Sequence, residues 1–167
     1  MPIRLFGCKA ALAGFLSFCL LLSAGALAEV CPVFEAPMAS ANAGCLMVEQ
    51  GQVLMLKQWN AKWALPGGTA AMGEAAQCTA MRETKEETGL KVDVGELIHI
   101  YDNGFHLFKC ERQVGQPKLN KNRPFTFEVI EVSWMDVEQF DDLNWRFSDQ
   151  RLVIETWLTA EPRVPPK

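Results

Sequence analysis

Histidine is scarce in this chain, with only His99 and His106 among 167 residues. No nucleophile signature accompanies either one, so Ser-His-Asp or Cys-His machinery has no local support. Each is read as structural or surface, with substrate contact as the alternative. No two cysteines stand in a C-x-x-C pair, which argues against zinc. There is no internal repeat and only one long apolar run. Basic residues are outnumbered, with 16 Lys and Arg against 20 Asp and Glu. An acidic chain is a poor general binder of nucleic-acid backbones, which need a basic surface. No nucleic-acid polymer is therefore expected as a partner. A small phosphate ester remains possible through a metal ion.

The one apolar run is residues 10–28, AALAGFLSFCLLLSAGALA. Arg4 and Lys9 precede it, and Ala26-Leu27-Ala28 closes it in the small-x-small form of a cleavage site. This has the form of a secretory signal peptide over residues 1–28. A membrane anchor is the alternative, since 19 residues can just span a bilayer. Membrane association is expected only if the leader stays attached. The expected product starts at Glu29 and is periplasmic or secreted. Lys plus Arg then falls from 16 to 14, Asp plus Glu stays at 20, and the net charge becomes −6. Cys31, Cys45, Cys78 and Cys110 remain. An even count in an oxidising compartment predicts at least one disulfide, with three connectivities open for two. A bridged Cys78 would pin its helix to another element.

At 49% hydrophobic and 22% charged, the rest is globular in composition and long enough for one domain. Residues 29–43 read as an extended arm. Residues 44–48 and 53–58 alternate as a strand hairpin. Residues 91–101 and 105–110 read as a second hairpin, 111–124 as a long polar loop and 125–135 as a strand. Residues 136–140 make a helical turn. Ser148 is a plausible N-cap for a helix near 149–160. Residues 161–167, with three prolines, read as a flexible tail. This order argues for α/β or α+β layering, with a sheet between helices. The aromatics Trp59, Trp63, Tyr101, Phe105 and Trp145 are core or rim by default, with base stacking open to one or two.

The chemistry concentrates in residues 68–90, GTAAMGEAAQCTAMRETKEETGL. Good helix formers run from Ala75 to Glu87, and Gly89 stands where a C-cap glycine belongs. Glu83, Glu86 and Glu87 are related by i, i+3 and i+4, so their carboxylates share a helix face. Three like charges repel unless a cation neutralises them. Mg²⁺ suits such carboxylates, and Mn²⁺ is the variant. Glu74 lies about two turns upstream, where Arg82 can pair with it. The plain alternative is a solvated charged face.

The pattern Gly68-x5-Glu74-x7-Arg82-Glu83-Thr84-x-Glu86-Glu87-x-Gly89-Leu90 resembles the Nudix box of the Nudix hydrolases. Thr84 departs from it, since an aliphatic residue is usual there. The preceding Trp63-Ala64-Leu65-Pro66-Gly67-Gly68 also looks like the family's approach to the box. The resemblance extends more loosely over residues 44–158. It implies an α/β/α sandwich around a mixed sheet, as a single domain over residues 44–160. It also implies hydrolysis of a diphosphate linkage in a nucleoside diphosphate joined to a moiety X. Glu83, Glu86 and Glu87 become metal ligands, with the Gly68 carbonyl a further oxygen. Arg82 joins the catalytic set. The general base stays open between Glu83 and Glu128, the latter placed by position only. Specificity is expected from loops at residues 59–62 and 102–124. A non-catalytic binding module on the same fold is the alternative function, and an exported interaction domain a third.

Overall fold

The computed structural model describes residues 31–32, 34–118 and 128–160. The expected leader, the tail and residues 125–127 of the last expected strand lie outside the described residues. In chain order the elements are β1 (Ala43–Leu46), β2 (Val48–Glu49), β3 (Gln52–Gln58), β4 (Trp63–Ala64), β5 (Gly67–Gly68) and α1 (Ala76–Thr88). There follow β6 (Lys91–Ile100), β7 (His106–Val114), β8 (Val129–Asp136), a 3₁₀ turn (Val137–Asp142) and α2 (Ser148–Ala160).

The strands form two sheets. One has the order β5-β1-β7-β6, with β1 parallel to β7 and the other pairs antiparallel. In the other, β3 is central and antiparallel to all its partners. It carries β8 along one edge and β2 and β4 along the other. Successive strand residues point to opposite faces. Cys45, Met47, Leu54, Phe108 and Cys110 accordingly pack with Ala76 and Ala80 of α1. Leu46, Val53, Met55 and Leu107 pack on the other side, with Phe140 and Ile154. One helix thus covers each face of the β layer, the expected α/β/α arrangement in a single mixed α+β domain.

Helix α1 buries Ala76, Ala80, Thr84 and Thr88, a stripe at i, i+4 spacing. Small side chains there seat the helix close to the sheet. Gly89 ends it, with its N–H on the Lys85 carbonyl at 2.8 Å. Two disulfides form, Cys31–Cys78 and Cys45–Cys110. The first ties the arm to α1. The second joins β1 to β7 inside the core.

Three sequence expectations change. Of the expected hairpin of residues 44–48 with 53–58, only Val48 pairs in strand register with β3, because β1 joins β5 and β7 in the other sheet. Residues 111–114 belong to β7 rather than to a loop. They are polar because side-chain pairs hold them: Arg112 forks onto Glu49 at 2.8 and 2.7 Å, and Gln113 donates to Asp93 at 2.6 Å. Gly67 and Gly68 do not simply end a segment. They pair with Gly44 and Ala43 as a short strand. Among the described residues, no helix is long and apolar enough to cross a membrane.

Candidate active site

The site begins where two backbones meet without side chains. A Cβ on Gly67 would lie 2.6 Å from the Gly44 Cα and 2.7 Å from the Ala43 carbonyl oxygen. Its φ of +154° also disfavours any other residue. Gly68 is constrained differently. A Cβ there would lie 2.5 to 2.8 Å from the carboxyl atoms of Glu83. The Glu83 carboxyl therefore packs directly on the Gly68 backbone. Glu87 reaches the same strand, accepting from the Gly67 N–H at 2.9 Å. The helix spacing thus aims two of the three glutamates at consecutive glycines.

Arg82 organises the rest. Its Nε and Nη2 fork onto Glu74 at 2.8 and 2.9 Å, the pairing expected from the sequence. Nη1 donates to Glu83 at 2.7 Å and to Glu86 at 3.2 Å, and Nη2 to the Thr69 carbonyl at 2.8 Å. Glu74 also accepts from the Ala71 N–H at 2.8 Å and the Thr79 hydroxyl at 3.1 Å. The hydrogen bonds from Arg82 hold the Glu74 carboxyl down to about 2, outweighing the burial that opposes them. The same pairing raises the Arg82 guanidinium further above its usual range. The brace is charged at every physiological pH.

The donor set suits a hard cation. Carboxylates of Glu83 and Glu86, with the carbonyl that the Gly68 backbone carries, are all oxygen, as Mg²⁺ requires. Among the described residues no three acidic, His or Cys side chains gather closely enough to hold a metal as they stand. The physical reason is Arg82, whose guanidinium sits between Glu83 and Glu86 and supplies the counter-charge. Glu128, in contrast, is exposed just before β8, where its carbonyl accepts from the Trp59 N–H at 3.0 Å. That strand belongs to the sheet of β3, whereas α1 packs on β1, β5, β6 and β7. His99 meets Tyr101 edge-on at 4.7 Å, and His106 stacks on Phe108 at 6.4 Å.

Asn42, Thr69, Phe147, Asp149 and Gln150 carried no sequence signal, whereas Tyr101 and Phe105 were among the expected aromatics. Asn42 accepts from the Ala70 N–H at 3.1 Å, and Thr69 contributes only a carbonyl. Phe105 lays its ring on Gly44 and Gly67. On its other side is a small pocket of about 20 Å³, lined by Tyr101, Asn103, Phe105, Phe147, Asp149 and Gln150. Gln150 ties this pocket to the approach strand, accepting from the Leu65 N–H at 3.4 Å. The Tyr101 hydroxyl is buried without a partner, and burial, with the Asp149 charge adding, raises its pKa. It is a neutral donor. Asn103 falls within the residues expected to set specificity, whereas Phe147 and Asp149 do not.

The NUDIX domain family matches residues 38–156. The chain belongs to this family. The box at residues 68–90 lies inside the matched span. A MutT-like protein of Streptomyces ambofaciens is 29% identical over 106 residues. The match spans 60% of this chain and 65% of that relative's length. The crystal structure of a UDP-X diphosphatase superposes with a TM-score of 0.60 at 19% identity, covering 78% of this chain and 67% of that one. An ADP-ribose pyrophosphatase from Streptococcus suis superposes with a TM-score of 0.58 at 18% identity, covering 74% and 94%. These two likenesses establish the Nudix fold.

Proposed function

We propose that this Nudix protein hydrolyses the diphosphate linkage of a nucleoside diphosphate joined to a second moiety, using Mg²⁺ or Mn²⁺, outside the cytoplasm. The observation that carries the reading is the packing of the Glu83 carboxyl on Gly68, with Glu86 beside it and Glu87 on Gly67. When bound, the cation neutralises phosphate charge and activates water. Glu83, Glu86 and Glu87, with the Gly68 carbonyl, are the residues to hold it. Arg82 keeps its fork on Glu74 and so presents Nη1 beside these carboxylates, where it can donate to a phosphate oxygen. The base is Glu83 or Glu128.

The pocket beyond Phe105, about 20 Å³, takes little more than a water, so it is its rim that offers the non-phosphate end polar edges. Asn103 and Gln150 both donate and accept, Asp149 accepts and the Tyr101 phenol donates. That chemistry suits the edge of a planar, polar group. Export is supported by the leader-like residues 1–28 and by two disulfides, which persist in oxidising compartments. Intact mass of the protein recovered outside the cytoplasm should start at Glu29.

The test is a panel of nucleotide sugars, dinucleoside polyphosphates and ADP-ribose-like compounds, read out by phosphate products. At least one should turn over with Mg²⁺ or Mn²⁺, stop on chelation and resume when the cation is restored. Cation-dependent thermal stabilisation without turnover of any compound would instead describe a binding module.

A further inference from the structure

The described residues of the arm, 31–32 and 34–42, attach mainly to the loop and first turn that lead into α1, and the Asn42 carbonyl also accepts from the His106 N–H at 2.8 Å. Cys31 is bonded to Cys78. The buried Gln77 amide donates to the Ala36 carbonyl at 3.0 Å and accepts from the Met38 N–H at 3.0 Å. Ser40 bridges Ala75 in antiparallel fashion, and Asn42 holds the Ala70 N–H. Met38 and Ala41 pack against the core on the α1 side.

Helix α1 shows why this matters. Its N-cap is Ala75, which offers no side-chain oxygen to the free N–H groups, and no acidic residue stands in its first turn. A helix start of that kind lacks a side-chain cap, and the nearest negative charge is Glu74, just before it. The arm supplies the restraint instead. From there the links run inward. Thr79 and Ala71 hold Glu74, Glu74 and Thr69 hold Arg82, and Arg82 holds Glu83 and Glu86.

The two disulfides differ in access. Cys45 and Cys110 are 0% and 4% exposed, whereas Cys31 and Cys78 are half-buried. An attacking thiolate needs an approach to sulfur, so the arm disulfide is the one it reaches.

We propose that residues 31–42 are a clasp that positions the catalytic loop, and that Cys31–Cys78 is its redox latch. The proposal rests on the function above only in calling that loop catalytic. A dithiol reductant opens the latch. One of its thiolates attacks a latch sulfur, the Cys31–Cys78 bond breaks and a mixed disulfide forms. The second thiol then displaces the cysteine and closes the reductant's own disulfide. Two electrons and two protons pass to Cys31 and Cys78, which become thiols. Asn42 and Gln77 are positioning residues, acting on Glu83 and Glu86 through the loop and Arg82.

The test titrates the full oxidised chain with dithiothreitol under native conditions. Alkylation mapping locates the thiols, and hydrogen exchange follows residues 69–80. Thiols should appear at Cys31 and Cys78 while Cys45–Cys110 stays closed. The Ala70, Ala71, Glu74 and Thr79 amides should then exchange roughly tenfold faster or more, with β7 unchanged, and reoxidation should reverse this. Cys31→Ser should show the same without reductant; if that variant does not fold, the titration still decides. With the disulfide closed, Asn42→Ala should speed exchange at Ala70, and Asn42→Asp, which keeps the acceptor, should restore it. Turnover should fall severalfold in kcat on reduction, with little change in KM.

Three results would overturn the clasp. They are unchanged exchange over residues 69–80 once the latch is open, prior opening of Cys45–Cys110, and no opening of the latch while the fold survives. If exchange responds as stated but no form turns over any diphosphate, the functional reading fails and the clasp stands.

Discussion

Thr84 faces the core at 0% exposure, and its hydroxyl has no hydrogen-bond partner among the described residues. The sequence marks it as a departure from the box, and the structure shows the consequence as a buried unsatisfied group. Such a group costs about 1–3 kcal/mol. Thr84→Val keeps the shape and removes the polar atom, so it should raise the melting temperature by roughly 2–4 °C, as thermal denaturation would show. A lower melting temperature would mean that the hydroxyl has a partner in solution. Glu74 makes the opposite case. Glu74→Gln leaves the Arg82 fork facing a neutral amide and should cost about 1–3 kcal/mol in denaturant titration. The Glu74 carboxyl is lowered from an ordinary 4.5 to about 2 in the folded protein. The stability it adds is therefore full above pH 4.5 and is lost as pH falls through about 2. The gap between parent and Glu74→Gln should close over that window. A gap independent of pH there would show that the charge of Glu74 is not what holds the brace.

At the scale of elements, β5 and α1 make one unit, and their adjacent glycines should fail differently. A side chain on Gly67 meets backbone, which cannot yield, so Gly67→Ala should destabilise by roughly 2–4 kcal/mol. A side chain on Gly68 meets only the end of Glu83, which can swing away. Gly68→Ala should stay folded, yet lose about tenfold or more in turnover and weaken Mg²⁺ binding by calorimetry. Equal effects of the two changes on stability would contradict this division. The helices were legible from sequence because their signals are local. Gly89 as C-cap and the glutamate spacing fall where expected, while Ser148, expected as the N-cap, is the first residue of α2. The strands were less so. The polar end of β7 is held by Arg112–Glu49, a pairing across 63 positions that no short window contains.

Across the whole molecule, two long-range facts set the site, and neither has a local signature. Strand β1 lies parallel to β7 and antiparallel to β5, which brings residues 43–44 against Gly67 and Gly68 and fixes the floor under Glu83. The disulfides join positions 47 and 65 apart, and the sequence left their pairing open. What was readable was the chemistry itself, because a helix displays spaced carboxylates wherever it packs. Glu74–Arg82 was expected, whereas the seating of Glu87 on Gly67 and the clasp at Gln77 were not. The central claim is that the acidic face of α1 is the hydrolytic centre. It is tested most directly by Glu87→Gln on the best diphosphate substrate, across a Mg²⁺ titration, with Glu138→Gln on the exposed 3₁₀ turn as control. Glutamine keeps an acceptor for the Gly67 N–H, so the fold should hold. The account predicts a fall of about a hundredfold or more in kcat/KM with an unchanged melting temperature in the absence of metal, and no change in the control. Parent-like turnover by Glu87→Gln at every Mg²⁺ concentration would contradict it.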